Sequence, residues 1–138
     1  MDINMNDLEK IIIHGDTKKL VEKSGELGNF LAKDEVKEKN LKLTTSQIRN
    51  FFGTVKKIEA RGFDAVGERE LLLLKPKLAY AANKAGKTKL NNLKTVLTDS
   101  IDIVTSGDND IAKKKEKFNR FCEFFEAILC YHKASGGK

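Results

Sequence analysis

The sequence predicts an all-α fold, a compact bundle of five to six helices in a single domain spanning residues 1–138. Apolar residues recur at three- and four-residue spacing along most of the chain, and no segment alternates with period two for long. The chain contains one proline among 138 residues, which suits long helices. With 40% hydrophobic residues, it is long enough to bury one core. Residues 135–138 read as a frayed tail.

The first two helices are predicted within the first forty residues. A short helix spans about residues 4–13, and Asp16 is expected to cap the helix that follows. The second helix runs from Thr17 to about Asn40, although glycines at two positions lower its helix propensity. Its apolar stripe and its glycines are Leu20, Leu27 and Leu31, and Gly25 and Gly28.

The third and fourth helices carry the clearest helical patterns, and we expect them to pack side by side. Thr44 or Thr45 is expected to cap the third helix, and Gly62 suits the left-handed position at its end. The fourth helix runs from about residue 65 to 83, and Pro76 is expected to kink or divide it because proline removes a backbone hydrogen bond. The apolar positions are Ile48, Phe51, Phe52, Val55 and Ile58, then Leu71, Leu74, Leu78 and Ala82.

The last two helices are separated by a turn that contains Gly107. Thr88 is expected to cap the fifth helix, and Asp108 or Asn109 the sixth. Phe124 departs from the apolar face of the sixth helix, which makes it a candidate for contact with a partner protein. The two apolar faces are Leu90, Leu93, Leu97, Ile101 and Val104, then Ile111, Phe118, Phe121, Cys122, Phe125, Ile128 and Leu129.

The positive charge is concentrated in the middle of the chain. Residues 41–98 hold 12 Lys and Arg against 4 Asp and Glu, a local net charge of +8, whereas the whole chain carries +6. Clustered cations on a helical surface attract a polyanion, because each neutralised phosphate releases condensed counterions. The charge pattern therefore favours a nucleic-acid partner over an ordinary solvated surface.

The candidate RNA-binding residues lie on the third and fourth helices and just beyond them. Helical spacing places Arg49 and Lys56 on one stripe with Gly53 and Ala60. Tyr80 lies among these cations and could stack on a base, but packing or a hydroxyl hydrogen bond is the favoured interpretation. The candidates are Arg49, Lys56, Lys57, Arg61, Lys75, Lys77, Lys84 and Lys87. We expect Arg49, Lys56, Lys77 and Lys84 to line one outward surface; the alternative surface is formed by Arg61, Lys87 and the Lys113–Lys117 cluster.

No catalytic constellation is visible, so we expect a protein that is not an enzyme and needs no cofactor or metal. The two histidines, His14 and His132, have no ligand partners at zinc-like spacing. Gly86-Lys87-Thr88 resembles the end of a phosphate-binding loop, but the glycine required five residues earlier is Ala81. The segment from Asp99 to Asp110 lacks the ligand order of a calcium loop.

The sequence predicts a cytoplasmic protein that does not enter a membrane. No window holds 18 uninterrupted apolar residues, and the first residues do not form a signal peptide. Cys122 and Cys130 are eight residues apart on one predicted helix, about 12 Å, which is too far for a disulfide. Both are expected to be reduced thiols.

Four segments together resemble the small subunit of the Csm-type (type III-A) CRISPR effector complex. They are residues 43–52 (LTTSQIRNFF), 55–59 (VKKIE), 71–82 (LLLLKPKLAYAA) and 118–132 (FNRFCEFFEAILCYH). The resemblance covers roughly residues 41–134 in blocks, and the first forty residues add little to it.

The resemblance implies a non-catalytic helical protein that takes part in antiviral defence. Copies of such a subunit stack along the guide RNA–target RNA duplex, beside the backbone subunits and the large subunit, which supply the chemistry. Carried over by position, the RNA-facing candidates are Arg49, Lys56, Lys75, Lys77 and Lys84. The family pattern expects Gly-Arg after the Ala-Ala pair, whereas this chain has Asn83-Lys84, so a planar arginine fork is absent there.

Two other classes of protein compete with this interpretation. A helical DNA-binding regulator would need a short turn followed by a recognition helix, but the turn after Gly62 leads into the apolar Leu71–Leu74 run. A purely structural adaptor between proteins would share the helical fold without binding RNA. RNA retention in a filter assay separates the adaptor from the RNA-binding subunit.

Overall fold

The computed structural model describes the backbone of residues 3–33, 45–85, 88–107 and 110–136, and the side chains of 3–33, 48–83, 89–107 and 110–136. Six α-helices and no strand occur in these ranges, which confirms the all-α prediction. The helices are α1 (Met5–Ile12), α2 (Thr17–Ala32), α3 (Thr45–Arg61), α4 (Ala65–Ala85), α5 (Thr88–Thr105) and α6 (Ile111–Ala134). Across these ranges, no helix has the length and apolar character needed to cross a membrane.

Acidic and amide side chains cap the starts of four helices, with Asn4 at α1, Asp16 at α2, Asp64 at α4 and Asp110 at α6. Asp16 accepts a hydrogen bond from the backbone N–H of Lys19 at 3.0 Å, so the predicted cap of α2 is confirmed. The cap of α6 was predicted one or two residues too early: Asp110 is the residue that accepts from the Ala112 N–H, at 3.0 Å. The two residues predicted for that cap, Asp108 and Asn109, lie outside the described residues.

Four predicted helix boundaries differ from the structure or extend beyond it. Thr45 and Thr88 are the first helical residues of α3 and α5 rather than caps, and Thr44 lies outside the described residues. The predicted division of the fourth helix is wrong, because α4 continues through Pro76. Helix α2 ends at Ala32, because Lys33 has an extended backbone with φ −64° and ψ 134°, so the helix predicted to run to about Asn40 is too long; residues 34–40 lie outside the described residues.

Helix α6 lies at the centre of the bundle and packs against α1, α2, α3 and α5. Its four Phe side chains, Phe118, Phe121, Phe124 and Phe125, are fully buried. The proposed partner contact of Phe124 is therefore wrong: a helix packed on several sides buries more than one stripe of side chains. Ile111 was placed on the apolar face, but it is 44% exposed in the first turn.

Helices α3 and α4 pack side by side, as predicted. Gly62 ends α3 with φ +98°, in the left-handed region, and residues 62–64 turn the chain back along α3. The packing is close at Gly67, where a Cβ atom would lie 3.0 Å from Ile58 Cγ2. On its other side α3 contacts α6, because the rings of Phe52 and Phe125 are 5.1 Å apart. Helix α3 therefore lies between α4 and α6.

Candidate nucleic-acid interface

One group of candidate cations lies where α3 meets α4 on the outside of the bundle. Arg61 forms an ion pair with Glu70 across the two helices. Lys57 lies one turn before Arg61 on α3, and Lys77 lies two turns after Glu70 on α4. Because the helices run in opposite directions, these side chains border one groove. We call this surface the α3–α4 seam; its residues are Lys57, Arg61, Glu70, Leu73 and Lys77.

The seam presents positive charge that is only partly neutralised. The Arg61–Glu70 pair offsets one of its cations. Lys57 and Lys77 are exposed, and neither forms an ion pair within the part of the chain that the structure describes. The seam therefore carries two lysines whose charges are available to an anion.

Lys56 occupies the opposite edge of α3, next to α6. Its Nζ donates a hydrogen bond to Glu59 Oε1 at 2.6 Å and lies 5.7 Å from the centre of the Phe52 ring. That hydrogen bond, together with the Glu59 charge, raises the pKa of Lys56 above its usual range. The charge of Lys56 is thus already offset by Glu59, whereas Lys57 has no ion-pair partner among the described residues.

Arg49 shares the Lys56 edge but is not neutralised in the same way. The predicted stripe of Arg49, Gly53, Lys56 and Ala60 is exposed along its whole length. Arg49 forms no ion pair with any residue that the structure describes. Lys56 lies beside α6 and Lys77 lies at the seam, whereas the side chain of Lys84 is outside the described residues. The single outward surface predicted for Arg49, Lys56, Lys77 and Lys84 therefore stays a prediction.

The remaining candidate cations are distributed elsewhere. Lys75 Nζ is 2.5 Å from Asp102 Oδ1 and ties α4 to α5, so this half-buried lysine lies away from the seam. Lys84 lies in α4, seven residues after Lys77 and therefore in register with it, but its side chain is outside the described residues. Lys87 also lies outside the described residues.

Two members of the alternative Lys113–Lys117 cluster hold helices together. Lys114 is 8% exposed and donates to Glu68 Oε2 at 2.8 Å, which links α6 to α4. Lys117 donates to the carbonyl oxygens of Ile103 at 2.8 Å and Ser106 at 3.0 Å, near the end of α5. These contacts give the two lysines structural roles, so their charges are less available to an anion than those of Lys57 and Lys77.

Three further side chains are exposed at the seam or beside it, and the predictions from the sequence do not include their exposure. Tyr80 is 67% exposed, so it does not pack in the core, and the alternative of a hydrogen bond from its hydroxyl group stays a prediction. Leu73 is 48% exposed within the apolar Leu71–Leu74 run, and helical periodicity alone places it opposite the buried Leu71. Sequence reasoning also omitted Arg69, which is exposed and has no ion-pair partner among the described residues.

The arrangement is suited to binding an anion rather than to acid–base chemistry. Cys122 and Cys130 are free thiols, as predicted, and burial raises the pKa of Cys122. Within the described ranges, no cluster of three His, Cys, Asp or Glu side chains is placed to hold a metal ion. What the surface of α3 and α4 does offer is a set of cations on rigid helices, which suits the phosphates of a polyanion.

The comparison with protein families identifies one match. A family model described as Csm2 Type III-A matches residues 14–138. This range begins well before the segments that carry the resemblance in the sequence, and it includes α2 through α6 with the whole seam. No curated protein and no solved structure gave a significant match.

Proposed function

Because the chain belongs to the Csm2 family, the small subunits of type III-A CRISPR complexes, we propose that it binds RNA there through the α3–α4 seam and Arg49. In this proposal the subunit is non-catalytic. It contacts the phosphate backbone of the guide RNA–target RNA duplex, beside the backbone and large subunits of the complex and neighbouring copies of itself.

The observation that carries this proposal is which cations on α3 and α4 are exposed and which already face a carboxylate. Arg49, Lys57 and Lys77 are exposed and have no ion-pair partner among the described residues. Lys56 and Lys75, by contrast, already face Glu59 and Asp102. A cation without a nearby carboxylate does not have to break an ion pair when it binds a phosphate. Arg49, Lys57 and Lys77 are therefore better suited to RNA.

The chemistry of the seam favours backbone contacts over base reading. Its cations at the unpaired positions are lysines, which act as point charges without the planar fork that recognises one base edge. Contacts of this kind position a protein on a nucleic acid but carry no sequence information. This suits a subunit that must accept any guide sequence.

We expect RNA binding by the isolated chain to be electrostatic and tolerant of sequence. Log affinity for single-stranded RNA should fall linearly with log salt concentration, with a slope of roughly −0.7 per phosphate contacted. Filter binding at several salt concentrations, with two RNAs of equal length and unrelated sequence, measures both properties. A strong preference for one sequence at constant salt would contradict the proposal, and a lack of binding to either RNA would favour the structural adaptor.

Removing the two seam lysines should weaken RNA binding with little effect on folding. In Lys57→Ala with Lys77→Ala, each lost phosphate contact should make the salt slope on single-stranded RNA shallower by about 0.7. Exposed substitutions usually change the free energy of unfolding by no more than about 0.5 kcal/mol. Salt-dependent RNA binding and thermal melting of the same variant test both expectations.

A matched control removes the same number of charges from paired lysines. Lys56→Ala with Lys75→Ala lowers the net charge equally but removes cations that face Glu59 and Asp102. We expect this variant to retain most of the wild-type salt slope. If the two double variants lose affinity and slope equally, net charge alone governs binding and the seam is not the interface.

The isolated chain is expected neither to cleave RNA nor to hydrolyse nucleotides. The sequence contains no pair of carboxylates, set of metal ligands or phosphate-binding loop at the spacing of a catalytic site. A radiolabelled RNA incubated with the chain and Mg²⁺ or Mn²⁺ should therefore remain intact. Cleavage that co-purifies with the chain through several columns and disappears on its depletion would overturn this expectation.

A further inference from the structure

We propose that Tyr80 is a stacking platform for an unpaired RNA base at the edge of the α3–α4 seam. Among the described residues, Tyr80 is the most exposed large apolar side chain, at 67%. It lies three residues after Lys77 on α4, so the two side chains are neighbours on the helix surface. The inference rests on the proposed function and adds a class of ligand to it, a nucleotide whose base is not paired.

The spacing of Lys77 and Tyr80 allows one nucleotide to contact both. Residues three apart on a helix have Cβ atoms about 5–6 Å apart. In a nucleotide, one sugar links the phosphate to the base. Lys77 can therefore bind the phosphate while the ring of Tyr80 stacks on the face of the base. Every base has such a face, and the contact is therefore tolerant of sequence.

The base that reaches Tyr80 must be unpaired. In an A-form helix each base is covered on both faces by its neighbours, and side chains cannot enter the deep, narrow major groove. An aromatic side chain therefore stacks on bases that are splayed out, or that belong to single strands and ends. Tyr80 would thus act on positions where the RNA duplex is interrupted or has ended.

A protein partner is the competing ligand of this surface. Val66, Leu73 and Tyr80 follow one another at seven-residue spacing on α4 and are all exposed. What favours a nucleotide at Tyr80 is the adjacent Lys77, which forms no ion pair within the described part of the chain. The test below separates the two ligands, because only stacking depends on the presence of a base.

The test compares two RNA strands that carry the same number of phosphates. One is a 12-nucleotide single-stranded RNA, and the other is the same strand with no base at alternate positions. We expect the wild-type chain to bind the complete strand more tightly. Tyr80→Ala should bind the complete strand about fivefold or more weakly, since base–aromatic stacking contributes at least about that factor per base. Its salt slope should be unchanged, because no charge has been removed.

Two variants serve as controls. Tyr80→Phe keeps the ring and should retain the preference for the complete strand, which separates stacking from any contact of the hydroxyl group. Lys77→Ala should show a shallower salt slope but keep the preference for the complete strand. Thermal melting of all three variants should match that of the wild type, because the substituted side chains are exposed.

Tyrosine fluorescence gives a direct readout of the contact. The chain contains two tyrosines and no tryptophan. In the Tyr131→Phe variant, Tyr80 is the remaining tyrosine, and stacking should quench its emission. We expect the complete strand to quench this emission more strongly than the strand lacking alternate bases at equal saturation.

The failure of this inference can be told apart from failure of the proposed function. If wild type and Tyr80→Ala bind the complete strand equally, or if the wild type does not distinguish the two strands, Tyr80 does not stack on a base although the chain binds RNA. If the wild type binds neither strand, the proposed function and the stacking role are both overturned. Loss of a protein partner by Tyr80→Ala with unchanged RNA binding would assign Tyr80 to a protein interface and also overturn the inference.

Discussion

Phe121→Ala is expected to lower the free energy of unfolding by about 3–5 kcal/mol. Phe121 is fully buried in α6, and its ring centre lies 6.3 Å from that of Phe118 and 6.1 Å from that of Phe125. Removing the ring leaves a cavity among side chains that are themselves held by four other helices. Small domains are stable by only about 5–15 kcal/mol, so this is a large fraction of the total.

Equilibrium unfolding in urea measures this effect. Val66→Ala is the matched control, because it also shortens an apolar side chain but at a position that is 59% exposed. We expect the control to change the free energy of unfolding by no more than about 0.5 kcal/mol. At a temperature where Phe121→Ala remains folded, its RNA salt slope should equal that of the wild type. A cost below about 1 kcal/mol would mean that the centre of the bundle is not closely packed around Phe121.

The helices were predictable because their signals are local. Leu74 and Leu78 are four residues apart and both buried, and Gly62 has the positive φ that its position after α3 required. The position of Asp110 was missed by one or two residues because Asp, Asn and Asp occur together in that turn and each can cap a helix. Local patterns thus establish that a helix exists more firmly than they establish where it starts.

The environment of each helix was not predictable from one stripe of residues. Phe124 leaves the main apolar stripe of α6, and a helix with one packed side would expose it. It is buried because α6 is surrounded, which depends on residues distant in the sequence. Pro76 similarly signals a break, but α4 continues through it.

The candidate cations of α3 and α4 show the same limit of prediction from the sequence. Composition and spacing located the charge on α3 and α4, and the exposure of Arg49, Lys57 and Lys77 agrees with that placement. Whether a lysine is available depends on its partner. Lys75 meets Asp102 from a different helix, 27 positions along the chain, and no periodicity in the sequence reveals that pairing. The sequence therefore predicts which segment is basic, and the structure selects among its cations.

Two glycines of α2 have the same helix propensity but different surroundings, and we expect their substitution to have opposite effects on stability. In the sequence, Gly25 and Gly28 are equivalent, since each lowers helix propensity by roughly 1 kcal/mol relative to alanine. In the structure they differ. A Cβ atom at Gly28 would lie 2.6 Å from Tyr131 Cβ and 2.7 Å from the backbone nitrogen of His132, whereas one at Gly25 would lie 3.8 Å from its nearest neighbour.

Gly28→Ala is therefore expected to destabilise the protein, and Gly25→Ala to stabilise it. At Gly28 the new methyl group meets α6 near its backbone, so the two helices must separate, which typically costs about 1–3 kcal/mol. At Gly25 the methyl group makes an ordinary contact, and the gain in helix propensity should raise the free energy of unfolding by up to about 1 kcal/mol. Thermal melting should shift in opposite directions, by about 4 °C for each kcal/mol at this chain length.

This pair of variants tests the packing of α2 on α6 without altering charge or exposed surface chemistry. Gly53→Ala on α3 is a further control, because a Cβ atom there meets nothing within 4 Å and the substitution should also stabilise the protein. If Gly28→Ala and Gly25→Ala raise the melting temperature equally, α2 does not approach α6 as closely as described. Opposite shifts would show that Gly28 is required by a contact between helices that are about a hundred residues apart in the sequence, which its local pattern cannot reveal.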